Sequence, residues 1–182
     1  MSRTGLIGAI PDCEDDMSAQ LHSLTLPGPM LRRGFWLYVW VVETPKGQMH
    51  YVGRTGDNSS PHATAPYTRM GQHLGFASNQ NALRRHLREQ QIEPEECVSF
   101  DLVAFGPLYG EVEKQDGLTR DDLMAKHTPI RNAVGALEKA LAEGLAAAGY
   151  HVLNTVKWKH PHEVDGWNAV RAAFSERFPG LA

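Results

Sequence analysis

Eight residues, Phe35-Trp-Leu-Tyr-Val-Trp-Val-Val42, constrain this chain more than any other segment. Aromatic and β-branched side chains dominate the run and no charge interrupts it, which predicts a strand over 35–42. Thr44-Pro-Lys-Gly47 follows, with proline suited to the second turn position and glycine to the fourth. Met49-His-Tyr-Val-Gly53 then predicts the returning strand of a β-hairpin. Side chains alternate faces along a strand, so Phe35, Leu37, Val39 and Val41 form one face and Trp36, Tyr38, Trp40 and Val42 the other. Tyr51 and Gly53 share a face of the return strand, so tyrosines from both strands can meet on one side.

Downstream, the composition of 57–66 reads as a loop, and a short helix is predicted to begin near Tyr67. That helix sets Arg69 and His73 four apart, on one face. A second helix is predicted over 81–90, with Leu83 and Leu87 inward and Arg84, Arg85 and Arg88 mostly outward. A third strand is expected over 97–105, ended by Gly106-Pro107. The strongest helical pattern covers 129–148: Thr128 suits the N-cap, Pro129 the first helical position and Gly149 the stop. Its apolar stripe is Ile130, Val134, Leu137, Leu141 and Leu145, with Glu138 at the stripe's edge. An extended segment over 150–154 and an amphipathic helix over 167–178 complete the reading, while any strand within 21–26 is weakly signalled. The fold class is therefore α+β: a small, mostly antiparallel three-stranded sheet flanked by helices. Three segments are expected, an N-terminal extension over 1–33, the main domain over 34–156 and a C-terminal extension over 157–182.

Of the 182 residues 42% are hydrophobic and 21% charged, enough apolar mass for a packed core. The longest apolar run is far short of the ~20 residues a membrane helix needs. Residues 1–10 carry no hydrophobic stretch of secretory length, and Cys13 and Cys97 make no disulfide framework. A cytoplasmic protein is expected. The net charge of −3 argues against a globally basic nucleic-acid binder. Charge is nonetheless sorted along the chain: residues 67–90 carry four arginines against one acid, a net of +3, while acids cluster at 12–16 and 93–96.

Leu37-Tyr38-Val39, Tyr51-Val52-Gly53, Arg69 with His73, Glu138 and Asn154, in that order, resemble the GIY-YIG nuclease pattern over about 35–156. The resemblance implies metal-assisted endonucleolytic hydrolysis of a phosphodiester in DNA. Arg69, whose planar fork matches phosphate oxygens, would offset charge in the transition state. Glu138 would be the single protein ligand of Mg²⁺ or Mn²⁺. Tyr38 and Tyr51 would help deprotonate a water, with a phenol pKa lowered by the neighbouring arginine, and His73 would assist. Gly53 would let the backbone of the substrate approach, and Asn154 would brace the site by hydrogen bonds. Arg54, Arg84, Arg85 and Arg88 are further candidates for contact with nucleic acid.

The pattern departs from the family in two places. Twelve residues separate Tyr38 from Tyr51, so either Tyr38 or Trp40 can fill the first tyrosine slot, and an indole cannot act as a base. Residues 56–66 are an insertion ahead of the arginine helix. Taken singly, each motif residue also has an ordinary explanation, such as a cross-strand aromatic pair, a solvated helix face or a surface ion pair. A catalytically inactive nucleic-acid-binding module, or a protein-interaction module that kept only the fold, is the alternative. The histidines of the tail, His151, His160 and His162, lack the ligand set of a zinc site. DNA is expected ahead of RNA as the partner, with targeting left to a homodimer or a partner protein.

Overall fold

In a computed structural model, residues 19–57, 60–114 and 116–182 are described. Cys13, the acidic cluster at 12–16, Asn58 and Ser59 of the insertion, and residues 1–18 in general lie outside them. The predicted hairpin is formed by β1 (Phe35–Thr44) and β2 (Gly47–Arg54), closed where Thr44 pairs with Gly47. Thr44 Oγ1 accepts from Lys46 N at 3.1 Å, and Gly47 adopts φ +102°, a conformation that favours glycine. The third strand, β3 (Ser99–Tyr109), pairs antiparallel with β1, giving the order β2-β1-β3. It runs through Gly106-Pro107 rather than stopping there, because β3 is an edge strand and proline is tolerated on an edge. Cys97 lies just before β3, half-buried, and burial raises its thiol pKa.

Both faces of β1 are covered. Phe35, Leu37, Val39 and Val41 pack against α3 (Arg120–Ala147) and α4 (Val164–Ser175). Tyr38, Trp40 and Val42 pack with Leu83 and Leu87 of α2 (Ala82–Glu89) and with Ile92. The α1 helix (Pro66–Leu74) lies on this second side, its Met70 and Leu74 against the same cluster. Residues 157–182 are not peripheral to the core: Val170, Phe174, Phe178 and Leu181 belong to the α3 cluster. Residues 21–26 form no strand, and Leu21 and Leu24 are exposed.

The α3 helix starts nine residues before the predicted first position, so Pro129 is internal. Its cap is Thr119, whose hydroxyl accepts from Asp122 N at 3.2 Å while Asp122 Oδ2 accepts from Thr119 N at 2.9 Å, a capping box. Leu123 and His127 extend the buried stripe backwards at helical spacing, and that burial outweighs the one hydrogen bond forgone at the proline. Thr128, expected as the cap, instead donates its hydroxyl to Met124 O at 2.7 Å.

The free side of β2 is closed by the extended segment after α3. His50 N donates to His151 O at 2.8 Å and Leu153 N to His50 O at 2.7 Å, as a parallel bridge. Among the described residues no helix is long and apolar enough to cross a membrane.

Candidate active site

Counting outward from the Thr44–Gly47 turn places Tyr38 opposite Gly53 and Trp40 opposite Tyr51. All four side-chain positions face α1 and α2. Trp40 is filled in against Phe100, edge to face at 6.4 Å, inside the core cluster. Tyr38 instead extends over Gly53: a Cβ there would lie 2.5 Å from the Tyr38 ring. Of the two candidates it is therefore Tyr38 that reaches over Gly53, and glycine is needed opposite it because the ring takes the space of a side chain.

At the end of β2 these tyrosines meet residues from both helical layers. Tyr38, Tyr51, Arg54, Arg69, His73 and Glu138 line one open pocket of about 260 Å³. Arg69 and His73 reach it from α1, one turn apart. Arg54 stands opposite Leu37, hence on the α3 face, where its Nε donates to Glu138 Oε2 at 2.9 Å. Five of the six residues expected to be catalytic thus converge. Asn154, the sixth, does not line the pocket. Its Oδ1 accepts from Val52 N at 2.9 Å and its Nδ2 donates to Val52 O at 2.8 Å, fixing the residue between Tyr51 and Gly53.

Within the pocket Tyr38 Oη lies 2.6 Å from His73 Nε2, and the His73 ring stands edge-on to Tyr51 at 4.9 Å. Burial, reinforced by the charge of Arg69, lowers the His73 pKa to about 4, so the imidazole is neutral near pH 7. His73 Nδ1 is buried and makes no hydrogen bond among the described residues. The expected lowering of the phenol pKa is not found. Burial pushes Tyr38 well above the usual tyrosine range despite the opposing charge of Arg69. Burial, with the charge of Glu138, pushes Tyr51 up to about 12. Both are phenols rather than phenolates, because desolvation of the anion outweighs one nearby cation.

The two arginines of the pocket are held by carboxylates. Arg69 donates to Asp57 Oδ2 at 2.8 Å and to Gln72 Oε1 at 2.9 Å. Arg54 also donates to Gly56 O and stacks on Trp158, its guanidinium carbon 4.9 Å from the ring centroid. Burial raises the Glu138 pKa, and Arg54 opposes that shift. Among the described residues no three His, Cys, Asp or Glu side chains are grouped to hold a metal ion. A cation here would depend on one carboxylate and retained water, a mode that suits a hard ion such as Mg²⁺. The pocket has room for water, each molecule needing only about 10–15 Å³ of such space.

Of the three arginines of α2, one departs from expectation. Arg84 is buried rather than outward: it donates to Leu74 O at 3.1 Å, pairs with Glu95 at 2.8 Å and lies over the Phe76 ring. It ties α1 to α2 and is unavailable to nucleic acid. Arg85 and Arg88 are exposed, with Arg88 paired to Glu93 at 2.9 Å and Arg85 beside Glu89 at 3.9 Å. Sequence reasoning missed Asp57, Gln72 and Asn79, which also line the pocket. Gln72 follows Arg69 at helical spacing and was detectable, whereas Asp57 sits in a loop whose course no pattern discloses. No family model, curated protein or solved structure matches the chain.

Proposed function

We propose that this protein is a divalent-cation-dependent endonuclease hydrolysing phosphodiester bonds in DNA, in a cytosolic setting. The observation that carries this reading is the convergence of Tyr38, Tyr51, Arg69, His73 and Glu138 in one pocket, from two strands and two helices on opposite sides of the sheet. Glu138 would hold a hydrated Mg²⁺ or Mn²⁺, which when bound supplies charge stabilisation at the leaving oxygen. Arg69 binds and orients the scissile phosphate with its fork. A neutral His73 at 2.6 Å from Tyr38 Oη can accept the phenol proton as Tyr38 takes one from an attacking water. This Tyr–His relay replaces a phenolate formed in advance, which burial disfavours. Tyr51 orients the water or phosphate from the other side of His73. Asn154 keeps β2 in register by holding Val52.

One observation favours the alternative, a nucleic-acid-binding module without catalysis: Glu138 already pairs with Arg54, so a cation must displace that contact. The deciding experiment is cleavage of supercoiled plasmid with Mg²⁺ or Mn²⁺ and with chelator, alongside Glu138→Ala checked for folding by circular dichroism. Metal-dependent nicking that disappears in the folded variant is the expected result. Retained nicking in that variant refutes the role of Glu138, and absence of nicking in the parent protein refutes hydrolysis.

A further inference from the structure

Beyond Asn154 the chain reads Thr155-Val-Lys-Trp-Lys-His160, an alternation that sends lysines outward and apolar groups inward. This segment crosses α3 as a strap. Val156 and Trp158 are half-buried, while Lys157 and Lys159 are exposed. The Trp158 ring lies on Gly135, where a Cβ would come within 2.4 Å of it, and its Nε1 donates to Asn132 O at 3.0 Å. Two guanidinium groups stack on the same indole, Arg54 at 4.9 Å and Arg131 at 5.3 Å. Between strap and helix runs a cavity of about 650 Å³, larger than the active-site pocket and separate from it. Trp158 lines this cavity and touches Arg54, which lines the other, so the two adjoin through one residue pair.

We infer that this groove is a second binding surface, for the phosphodiester backbone of duplex DNA flanking the cleaved bond. The inference rests on the nuclease reading above for its substrate, and on the groove's own charge for its chemistry. Arg131, Lys139, Lys157 and Lys159 line it against one acid, Glu143. Among the described residues Arg131, Lys157 and Lys159 make no ion pair, and Lys139 is held by Glu143 at 2.6 Å. The basic stretch of α2 is the reverse case, since Glu89, Glu93 and Glu95 each lie against one of its arginines. In a chain of net charge −3, unpaired cations on one groove are a local anion surface. Geometry supports a long polyanion rather than a single phosphate. Arg131 and Glu138 are seven residues apart on one face of α3, about 10.5 Å at ~1.5 Å per residue. That distance is more than a single phosphate group can bridge, so successive phosphates of one strand would reach the two ends.

The test is salt-titrated binding of a short labelled DNA duplex to the full chain, in chelator so that no cleavage intervenes. The parent protein should bind with an affinity that falls steeply with salt. Lys157→Gln with Lys159→Gln and Arg131→Gln should flatten that slope by roughly 2 to 3, about 0.9 for each phosphate that is no longer neutralised. Glu143→Gln, which releases Lys139, should steepen it, and Arg85→Gln with Arg88→Gln, on the competing α2 face, should flatten it less than the groove variant does, because Glu89 and Glu93 already lie against those arginines. Lys157 and Lys159 are exposed, so their double variant keeps the test readable if Arg131→Gln disturbs the Trp158 stack. An unchanged slope in the folded lysine variant overturns the groove, as does a flattened slope in the α2 variant alone. A parent protein that nicks plasmid while the lysine variant binds normally sinks the groove and leaves the nuclease reading standing. A parent that never nicks, yet whose binding disappears with these lysines, does the opposite. A parent that binds no duplex overturns the groove, and one that also nicks no plasmid overturns both.

Discussion

Gly53→Ala tests the arrangement of the pocket more sharply than removal of any catalytic candidate. Gly53 does not adopt a left-handed φ, so its backbone accommodates alanine. In isolation the substitution should stabilise the strand by about 0.5–1 kcal/mol, through reduced freedom of the unfolded chain. The side chain opposite reverses that sign. The new Cβ would lie 2.5 Å from Tyr38 Cε2 and 2.6 Å from Cζ and Oη, where carbon contacts settle near ~3.5–4.0 Å. Tyr38 is 1% exposed, so its ring has little room to retreat. Overpacking of this kind costs ~1–3 kcal/mol. Displacing Oη from His73 forfeits a hydrogen bond worth ~1 kcal/mol. The net expectation is a destabilisation of about 1–3 kcal/mol.

The same substitution in a Tyr38→Leu background should behave as on an open strand, because leucine ends before all three clashing atoms. There Gly53→Ala should be neutral or stabilising by up to about 1 kcal/mol. The cycle therefore predicts a coupling of about 1–4 kcal/mol, beyond the ~0.3–0.5 kcal/mol scatter of independent sites. Urea denaturation of the four proteins gives the numbers, with m-values checked for constancy. Equal destabilisation by Gly53→Ala in both backgrounds would refute the placement of Tyr38 over Gly53, and with it the choice of Tyr38 over Trp40.

Acid should weaken the fold through His73. Its folded pKa, about 4, lies below the ordinary ~6.5, so between those values the unfolded chain binds a proton that the folded one excludes; up to ~3 kcal/mol of stability goes as pH falls from 6.5 towards 4. His73→Gln should flatten urea midpoints across that window, and an unchanged slope would show that His73 is not buried neutral. Asn154→Ala leaves Val52 N and O without their partner, costs about 2–3 kcal/mol and raises hydrogen exchange at the Val52 amide selectively. Gly135→Ala should destabilise despite a helix propensity gain of ~1 kcal/mol, because its Cβ meets the Trp158 ring; tryptophan fluorescence should shift with it.

How much of this was legible in the sequence depends on whether the governing interaction is local. The hairpin, both layers of helices and the closing segment at 150–154 follow from periodicity and turn chemistry. Even the choice between Tyr38 and Trp40 was available: once Thr44 faces Gly47, pairing outward in step sets Tyr38 against Gly53. The start of α3 was hidden by Pro129, although Leu123 and His127 continue its stripe. Charges misled most. The burial of Arg84 depends on Glu95 and the Leu74 carbonyl, both brought to it by tertiary folding. The raised phenol pKa values depend on how deeply α1 and α2 enclose the tyrosines, which no spacing encodes.

The resting electrostatics of the pocket carry one more consequence. Its two cations each lean on a carboxylate, Arg54 on Glu138 and Arg69 on Asp57. A phosphodiester that takes Arg69 competes with Asp57, and a ligand to Glu138 competes with Arg54. An anion alone would weaken the Arg69–Asp57 contact, and a divalent cation alone would leave the Arg54 guanidinium without its Glu138 partner in a partly buried site, which is costly. The two ligands should therefore bind with positive coupling, and linkage makes that coupling reciprocal. Calcium serves as a binding probe: its addition should tighten DNA binding about fivefold or more, the range expected of ~1–3 kcal/mol of coupling. Glu138→Gln should abolish the gain while preserving binding in chelator. If calcium leaves the affinity of the parent protein unchanged, the Arg54–Glu138 and Arg69–Asp57 pairs stay closed in the complex and the site does not exchange partners on binding.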